Sequence, residues 1–217
     1  MKNLQIRQNY VFIAKFPFYT ANGGLIAERQ KEIENCRNEH VKSGKFFVFK
    51  LLEYAVSSIY GLSLAECNLT KNSAGKWTSD KFELSFTHCG DIAAVALSSA
   101  PIGIDVQAED LPRFNCKLRR RILTSAEHAK TERMTEEQSA AYANALWTVK
   151  EAVFKKNGGK IFIPSKIGVT DETYEQVTVT DGNVKYYLSV AAAAQTKTEY
   201  RALNAQCIVN NNVKFLH

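Results

Sequence analysis

The chain has 217 residues, of which 45% are hydrophobic and 23% are charged, and its formal net charge is +6 at neutral pH. This composition is typical of a globular protein with a substantial core, and it excludes a disordered chain. The longest apolar runs, such as residues 92–97, are far too short to cross a bilayer as a helix, which excludes a helical membrane protein.

The first half of the chain is predicted to contain one strand, a long helical stretch and then three more strands. Aromatic residues alternate over Tyr10–Phe18, which favours a strand that ends at a proline and a glycine-rich turn. Residues 26–60 are rich in helix formers and end at Gly61, and Lys42–Gly44 could divide them into two helices. The three later strands are predicted at Phe82–Thr87, Ile92–Ser98 and Ile102–Val106, with a turn at His88–Asp91 between the first two.

The second half repeats this order of helix and strands. Helices are predicted at Lys117–Arg133 and Glu136–Asn157, and the second of them should end at Gly158. Three strands should follow, at Val177–Thr180, Lys185–Ala193 and Tyr200–Val209. The order predicts an α+β protein of two similar units that join near residues 100–105 and pack closely, because no proline- or serine-rich linker separates them.

The cysteines and the N-terminus indicate the compartment. The cysteines are odd in number, far apart and without the spacing of a zinc site, which favours reduced thiols. The first 16 residues lack the continuous apolar stretch and the cleavage site of a signal peptide. We therefore expect a cytoplasmic protein. The five cysteines are Cys36, Cys67, Cys89, Cys116 and Cys207.

The segment ALWTVKEAVFKK, residues 145–156, predicts a helix that is apolar on two sides and polar along a narrow stripe. Trp147 and Phe154 lie nearly opposite the main apolar face, and Lys150 lies on the far flank of this aromatic pair. The simplest interpretation of Glu151 and Lys155 is a solvated ion pair worth about 0.3–0.5 kcal/mol. A polar stripe bounded by aromatic residues would also suit the wall of a cleft. The stripe consists of Asn144, Thr148, Glu151 and Lys155.

Three shorter motifs precede this helix. The strand PIGIDV carries Asp105 near its end, and Gly103 would allow another backbone or a ligand to come close. Gln107, two residues later, should point to the same side as Asp105. SFTHCG places Thr87 and His88 at the end of a strand, and SAGKW places a lysine in a glycine-containing turn. Each motif alone is more often structural than functional.

Taken in order, the four motifs resemble the signatures of the 4′-phosphopantetheinyl transferases of the surfactin-synthetase-activating type. That family has a Gly-Lys-Pro turn, a Ser-His-Ser turn, a Gly-(Ile/Val)-Asp-(Ile/Val)-Glu strand and a (Trp/Phe)-x-x-Lys-Glu-(Ala/Ser)-x-x-Lys helix. The resemblance is good over residues 75–164 and looser over residues 28–60. It implies a duplicated fold of two lobes, residues 1–103 and 104–217, each a long helix on a small, mostly antiparallel sheet, with the active site between them. The matching segments are Gly75-Lys76, SFTHCG, IGIDV and WTVKEAVFKK followed by Gly158.

The resemblance implies that 4′-phosphopantetheine is transferred from coenzyme A to a serine of an apo acyl- or peptidyl-carrier protein, releasing 3′,5′-ADP. Asp105 and Glu151, with Gln107, would hold Mg²⁺, which prefers oxygen ligands. Glu151, or a water that it holds, would take the proton of the serine. Lys155 would contact the transferred phosphate, and Lys150 would place the substrate or hold Glu151.

The remaining expectations from the resemblance concern coenzyme A and the partners. The net positive charge would help attract a carrier protein, which is typically acidic. We expect a monomer that does not act at a membrane. We also expect no nucleic-acid partner, since no aromatic-basic motif or nucleic-acid-binding module is recognisable. The residues expected to bind coenzyme A are Thr87 and His88 at its phosphates, Lys76 at its nucleotide, and Arg37, Lys45 and Lys50 as candidates for its 3′-phosphate.

Three positions depart from the family signatures, and two alternatives stay open. Gln107 stands where the family has glutamate, Trp77 where it has proline, and Cys89 where it has the second serine. Another coenzyme A-dependent transferase, which moves an acyl group from the thioester, would need no Mg²⁺. A non-catalytic homologue would bind only the carrier protein or coenzyme A.

The glutamine at position 107 generates a first prediction. Gln107→Glu should lower the Mg²⁺ concentration needed for half-maximal activity, because it restores a negative charge that the family pattern contains. The measurement is a Mg²⁺ titration of transfer activity for both proteins. Equal half-saturation in the two would contradict the prediction.

Overall fold

The computed structural model describes residues 7–16, 25–203, 208–209 and 213–216. This part of the chain is α+β, as the sequence predicted, and it contains five α-helices. α5 has the bounds that the sequence predicted. The helices are α1 (Ala27–Glu34), α2 (Glu39–Tyr60), α3 (Cys116–Ile122), α4 (Ser125–Thr131) and α5 (Glu136–Asn157).

The predicted strands occur in the predicted order, but short strands at residues 70–71, 77–78 and 213–216 were not predicted. The strand predicted at Tyr200–Val209 is observed at Thr196–Leu203 and Ile208–Val209. The first strand of the chain begins three residues earlier than predicted, and residues 17–18 of that prediction lie outside the described residues. The strands are β1 (Arg7–Lys15), β2 (Thr70–Lys71), β3 (Trp77–Thr78), β4 (Glu83–Cys89), β5 (Ile92–Ser98), β6 (Gly103–Ala108), β7 (Tyr174–Asp181), β8 (Val184–Ala191), β9 (Thr196–Leu203), β10 (Ile208–Val209) and β11 (Val213–Leu216).

The strands form two main sheets and a small β2–β3 ribbon. The larger sheet has the order β11-β9-β1-β5-β4, in which β1 is antiparallel to β5 and parallel to β9. The smaller sheet has the order β10-β7-β8-β6 and is antiparallel. Two strands from late in the chain therefore complete the sheet that the N-terminal residues begin. The predicted division of the chain at residue 103 stays a prediction.

The two main sheets face each other across a shared core, and each carries a long helix on its outer face. Val11, Ile104 and Leu188 belong to the core between the sheets. α2 covers the larger sheet through residues such as Phe49, and α5 covers the smaller sheet through residues such as Val149. β5 is buried along its whole length, because it contacts α2 on one face and the smaller sheet on the other. This agrees with its almost wholly apolar sequence.

The seam between the sheets is formed by their edge strands β4 and β6. The Ser85 hydroxyl oxygen accepts a hydrogen bond from the Ile104 amide at 3.1 Å, and the Cys89 sulfur accepts one from the Ala108 amide at 3.4 Å. Side chains thus satisfy backbone donors that an edge strand would otherwise leave without protein partners. The seam places the end of β4 next to the end of β6.

Three further predicted boundaries are wrong, and each has a local physical reason. α2 continues through Lys42–Gly44, and the break lies at residues 35–38, where the Asn38 side chain accepts from the Val41 amide and caps the helix. The predicted helix over residues 117–133 divides into α3 and α4, because Thr124 caps a new helix with a capping box to Glu127. His88 belongs to β4, and the turn begins at Gly90, whose φ is +53°.

Two expectations about the whole molecule concern membranes and thiols. Among the described residues, no helix combines the length and the apolar character that a membrane crossing requires. Cys36, Cys67, Cys89 and Cys116 are free thiols, and Cys207 lies outside the described residues.

Gly103 generates the prediction for the fold. A Cβ atom there would overlap the Ala152 carbonyl oxygen and the Lys156 nitrogen of α5, so the helix lies directly on β6. Gly103→Ala should therefore lower the free energy of unfolding by about 1–3 kcal/mol through overpacking. The measurement is urea unfolding. Gly168→Ala is the matched control, because nothing lies within 4 Å of the added atom and it should change stability by less than about 0.5 kcal/mol. Equal stability of the two variants would contradict the close approach.

Candidate functional site

The candidate site is a cavity of about 380 Å³ at the seam between the sheets. β4 and β6 supply its floor, α1 and α2 supply one wall, and α5 supplies the other. Asp105, which is 5% exposed, and Glu151 both line this cavity although they are 46 positions apart in the chain. The structure therefore brings together the two carboxylates that the motifs singled out.

A lysine ammonium lies between these carboxylates. Lys155 Nζ donates to Asp105 Oδ1 at 2.6 Å and to the Ile104 carbonyl at 3.1 Å, and it lies 3.9 Å from Glu151 Oε2. The Thr87 hydroxyl donates to the same Asp105 oxygen at 3.0 Å. Asp105 is thus held as an acceptor by two elements, β4 and α5, and its carboxylate has a fixed position.

The pKa of Glu151 is shifted by its surroundings. Burial, followed by the negative charge of Asp105, raises the pKa of Glu151 to about 7, while Lys155, Arg113 and a hydrogen bond from the Trp147 indole oppose the rise. A carboxyl with this pKa can accept and release a proton near neutral pH, which is the property of a general base.

The donor set of the cavity fits a hard divalent cation. Asp105 and Glu151 offer carboxylate oxygens, and Gln107 lines the same cavity, as the alternation of β6 predicted. Two like charges share this space, and an added divalent cation would relieve their repulsion. Over the described residues no group of three His, Cys, Asp or Glu side chains could hold a metal. An ion here would complete its shell with water and substrate phosphate, as Mg²⁺ commonly does.

The opposite wall of the cavity is basic. Arg29 is only 4% exposed, and its guanidinium donates to Glu32 and to the Lys45 carbonyl while lying 5.3 Å from the centre of the Phe49 ring. Burial lowers the pKa of Arg29 to about 10, so it stays charged at neutral pH. Lys45, one of the predicted candidates, also lines this wall. The sequence interpretation missed Arg29, because nothing in its local pattern distinguishes it from a surface arginine of a polar helix.

His88 lies between the two walls and packs tightly on α2. A Cβ atom at Gly44 would overlap the His88 ring, so the glycine makes room for the histidine. Burial, followed by the charges of Arg29, Lys155, Lys45 and His40, lowers the pKa of His88 to about 4. The neutral ring has one donor nitrogen and one acceptor nitrogen, and the residue lines the cavity.

A second cavity of about 230 Å³ shares Phe86 and Lys155 with the first. Gly75 and Lys76 line it, and Lys76 Nζ donates to the Ile102 carbonyl at 3.5 Å. Burial lowers the pKa of Lys76. The predicted Gly-Lys turn therefore lies beside the carboxylate cavity, and Lys155 borders both spaces.

The structure contradicts the expected position of Lys150. Its side chain is fully buried, and Nζ donates to Glu127 at 2.6 Å, to the Ile122 carbonyl at 2.9 Å and to the Pro164 carbonyl at 2.8 Å. Adjacent residues on a helix point about 100° apart, so Lys150 turns away from the cavity that Glu151 faces. It fastens α5 to the end of α3, to α4 and to the following loop.

Two further candidates are not brought to the cavities. Arg37 is exposed on the segment between α1 and α2, and Lys50 forms an ion pair with Glu53 at 2.8 Å. Neither residue lines either of the two cavities. Of the three basic residues proposed on the early helices, only Lys45 lies at the site.

Comparison with known proteins agrees with the motifs. Residues 101–203 match the family model of the 4′-phosphopantetheinyl transferase superfamily, and this segment contains both carboxylates, Gln107 and Lys155. The chain is 25% identical over 111 residues to the 4′-phosphopantetheinyl transferase psf-1 of Bacillus pumilus, covering 50% of this chain and 47% of that protein. It is 23% identical over 168 residues to a 4′-phosphopantetheinyl transferase of Bacillus subtilis, covering 73% and 74% of the two chains. The chain thus spans about half the length of the first relative, and the match over residues 101–203 agrees with the superfamily that the motifs resemble.

The buried lysine generates one prediction from this site. Lys150→Met should lower the free energy of unfolding by about 3–5 kcal/mol, because it leaves the Glu127 carboxylate buried without its cation. The double variant Lys150→Met/Glu127→Leu should recover much of the loss. Chemical unfolding measures both, with Lys130→Met on the exposed side of α4 as the control. If Lys150→Met is as stable as the wild type but binds coenzyme A more weakly, the result would support a role of Lys150 in substrate binding.

The histidine generates a prediction of pH dependence. Because the folded pKa of His88 is about 4 and its ordinary value is 6.5, the unfolded chain binds more protons between these pH values. The contribution of His88 to stability is therefore complete above about pH 6.5 and is lost as the pH falls towards 4. His88→Asn should flatten this part of the stability profile, measured by urea unfolding at several pH values. His128→Asn, on α4, is the control, and an unchanged slope in His88→Asn would contradict the prediction.

Proposed function

We propose that this protein is a 4′-phosphopantetheinyl transferase, which transfers the 4′-phosphopantetheine group of coenzyme A to a serine of an apo acyl- or peptidyl-carrier protein. The observation that carries the proposal is the convergence of Asp105, Glu151 and Lys155 in one cavity with a basic opposite wall. Dependence on Mg²⁺ and release of 3′,5′-ADP are parts of the same proposal.

The charges of the two cavities suit coenzyme A, which carries a diphosphate and a separate phosphate on its ribose. Arg29 and Lys45 offer positive charge on one wall, and Thr87 and the neutral His88 offer hydrogen-bond partners between the walls. Lys76 offers a further cation in the adjoining cavity. Lys155, which borders both cavities, would then lie beside the diphosphate.

The reaction forms a bond between the serine oxygen and the phosphorus that bears pantetheine, and it breaks the bond from that phosphorus to the bridging oxygen. Glu151, or a water that it holds, accepts the serine proton, and the bridging oxygen leaves as part of 3′,5′-ADP. Lys155 stabilises the charge on the phosphate during transfer. Mg²⁺ bound by Asp105, Glu151 and Gln107 would neutralise the diphosphate charge.

Several wider expectations belong to this proposal. The two lobes would divide at residues 103 and 104, and the enzyme would act as a cytoplasmic monomer without nucleic acid or membrane. The net charge of +6 supports an acidic macromolecular partner, since opposite charge accelerates encounter.

The test is to mix the protein with coenzyme A, Mg²⁺ and several apo carrier proteins and to follow the carrier mass. Transfer adds about 340 Da, the approximate mass of the donated phosphopantetheine, in this phosphoryl-type transfer. With acetyl-coenzyme A as the donor, a gain of the acetyl mass alone that persists in EDTA would favour the acyl-transferring alternative. Binding of coenzyme A or carrier without any mass gain would favour the non-catalytic homologue.

Glu151→Gln tests the assigned base. The variant should reduce kcat by about 10²- to 10⁴-fold, because the amide cannot accept the serine proton. Its affinity for coenzyme A in the absence of metal should change little. Glu137→Gln, on an exposed position of the same helix, should retain full activity. Steady-state kinetics with saturating carrier measure both, and wild-type kcat in Glu151→Gln would assign the base elsewhere.

A further inference from the structure

Beyond the end of α5 the chain exposes apolar side chains at the surface. We call Ile161, Phe162 and Ile163 the isoleucine loop. Ile161 is 78% exposed and Ile163 is 41% exposed, although isoleucine is among the residues most often buried. Phe162 between them is anchored, because its ring lies 5.2 Å from that of Trp147 and 5.2 Å from that of Phe154. The loop thus exposes two apolar side chains on either side of an anchored aromatic ring.

The isoleucine loop lies beside the assigned base. Trp147 contacts the Phe162 ring and lies four residues before Glu151 on the same face of α5, so a single side chain links the loop to the base. At its other end the loop is held by the Pro164 carbonyl, which accepts from Lys150 Nζ at 2.8 Å. This second contact fastens the end of the loop to the side of α5 that faces away from the cavity. The Trp147 contact is therefore the one that places the loop near the part of α5 that carries Glu151.

The surface next to the loop is basic. The Ile122 carbonyl, at the end of α3, and the Pro164 carbonyl accept hydrogen bonds from the same Lys150 ammonium, which brings α3 against the loop. Arg120 and Arg121 are exposed on this last turn of α3. Arg113 adds a cation 5.9 Å from the Trp147 ring. The exposed surface around the loop thus combines apolar side chains with positive charges.

We propose that the isoleucine loop, with Arg113, Arg120 and Arg121, is the docking surface for the acceptor protein, and that it binds a face of that protein which is apolar and acidic. The inference rests on the proposed function, because the acceptor serine must reach Glu151 and the protein carrying it must cover the neighbouring surface. The charge of the surface complements an acidic acceptor. A second copy of this chain would bring the same arginines and the same net charge of +6, which opposes self-association here.

The test compares Ile161→Ser/Ile163→Ser with Val184→Ser, which alters an apolar residue that is 44% exposed at the start of β8. With coenzyme A saturating, the double variant should raise KM for the apo carrier protein by about tenfold, as expected for loss of apolar contacts at an interface. Its kcat and its KM for coenzyme A should stay unchanged, and Val184→Ser should match the wild type. Ile161→Ser alone, at the most exposed position, should give a smaller rise in KM for the carrier. It keeps the test valid if the double variant fails to fold.

The charged part of the surface is tested with Arg120→Glu/Arg121→Glu against Lys130→Glu on α4. The arginine variant should raise KM for the carrier and weaken the dependence of kcat/KM on salt, because fewer opposite charges attract the carrier. Direct binding of fluorescently labelled apo carrier separates docking from catalysis. Binding that the isoleucine variants weaken, without transfer by the wild type, would remove the proposed function and keep the docking surface.

Two results would overturn the docking surface. Unchanged KM and unchanged carrier affinity in the isoleucine variants would place the acceptor elsewhere, even if the wild type transfers phosphopantetheine. A wild-type dimer in sedimentation velocity that becomes a monomer in Ile161→Ser/Ile163→Ser, with KM for the carrier unchanged, would assign the surface to a second copy of the chain.

Discussion

The close approach of β6 and α5 at Gly103 is the constraint on which the candidate site depends. No side chain separates the strand from the helix there, since any Cβ atom would overlap the α5 backbone. Two residues further along β6, Asp105 consequently lies within hydrogen-bonding distance of Lys155, and the Glu151 carboxylate enters the same cavity. A wider separation of strand and helix would leave two distant acidic residues, each solvated alone. The backbone contact therefore comes first, and the electrostatics of the cavity follow from it.

α5 divides its lysines between structure and chemistry. Lys155 lies between two carboxylates and remains partly exposed to the cavities, where it balances one of their charges. Lys150 is fully buried and joins α3, α4 and the loop after α5 through its three hydrogen bonds. A buried ammonium is costly unless a carboxylate and carbonyl oxygens surround it, and Glu127 with two carbonyls meets this condition. Two lysines of one helix thus have different roles: Lys150 braces the helix, and Lys155 faces the site.

The proposed reaction needs two substrates to meet at Glu151, and the surroundings of this residue differ on its two sides. Towards α1 and α2 the wall is basic and enclosed, with Arg29 held over aromatic rings and His88 kept neutral by burial. Towards the end of α5 the surface is open, apolar and rimmed by arginines. A small, highly charged donor suits the first environment, and a protein face suits the second. Trp147 lies four residues before Glu151 on α5 and contacts Phe162, so it connects the base with the open surface.

The sequence by itself determined the α+β class, the bounds of α5 and the burial of β5 on both faces. It also predicted that Gly103 permits a close approach two residues before Asp105. These features depend on periodicity, caps and local backbone freedom. The sequence also identified Asp105, Gln107, Glu151 and Lys155 as one set through their motifs. Only the tertiary structure decided that Lys150 is a buried brace, that Arg29 faces the cavity and that Arg37 and Lys50 do not. These outcomes depend on which distant element packs against each side chain, and a basic residue on a polar helix carries no local sign of its partner.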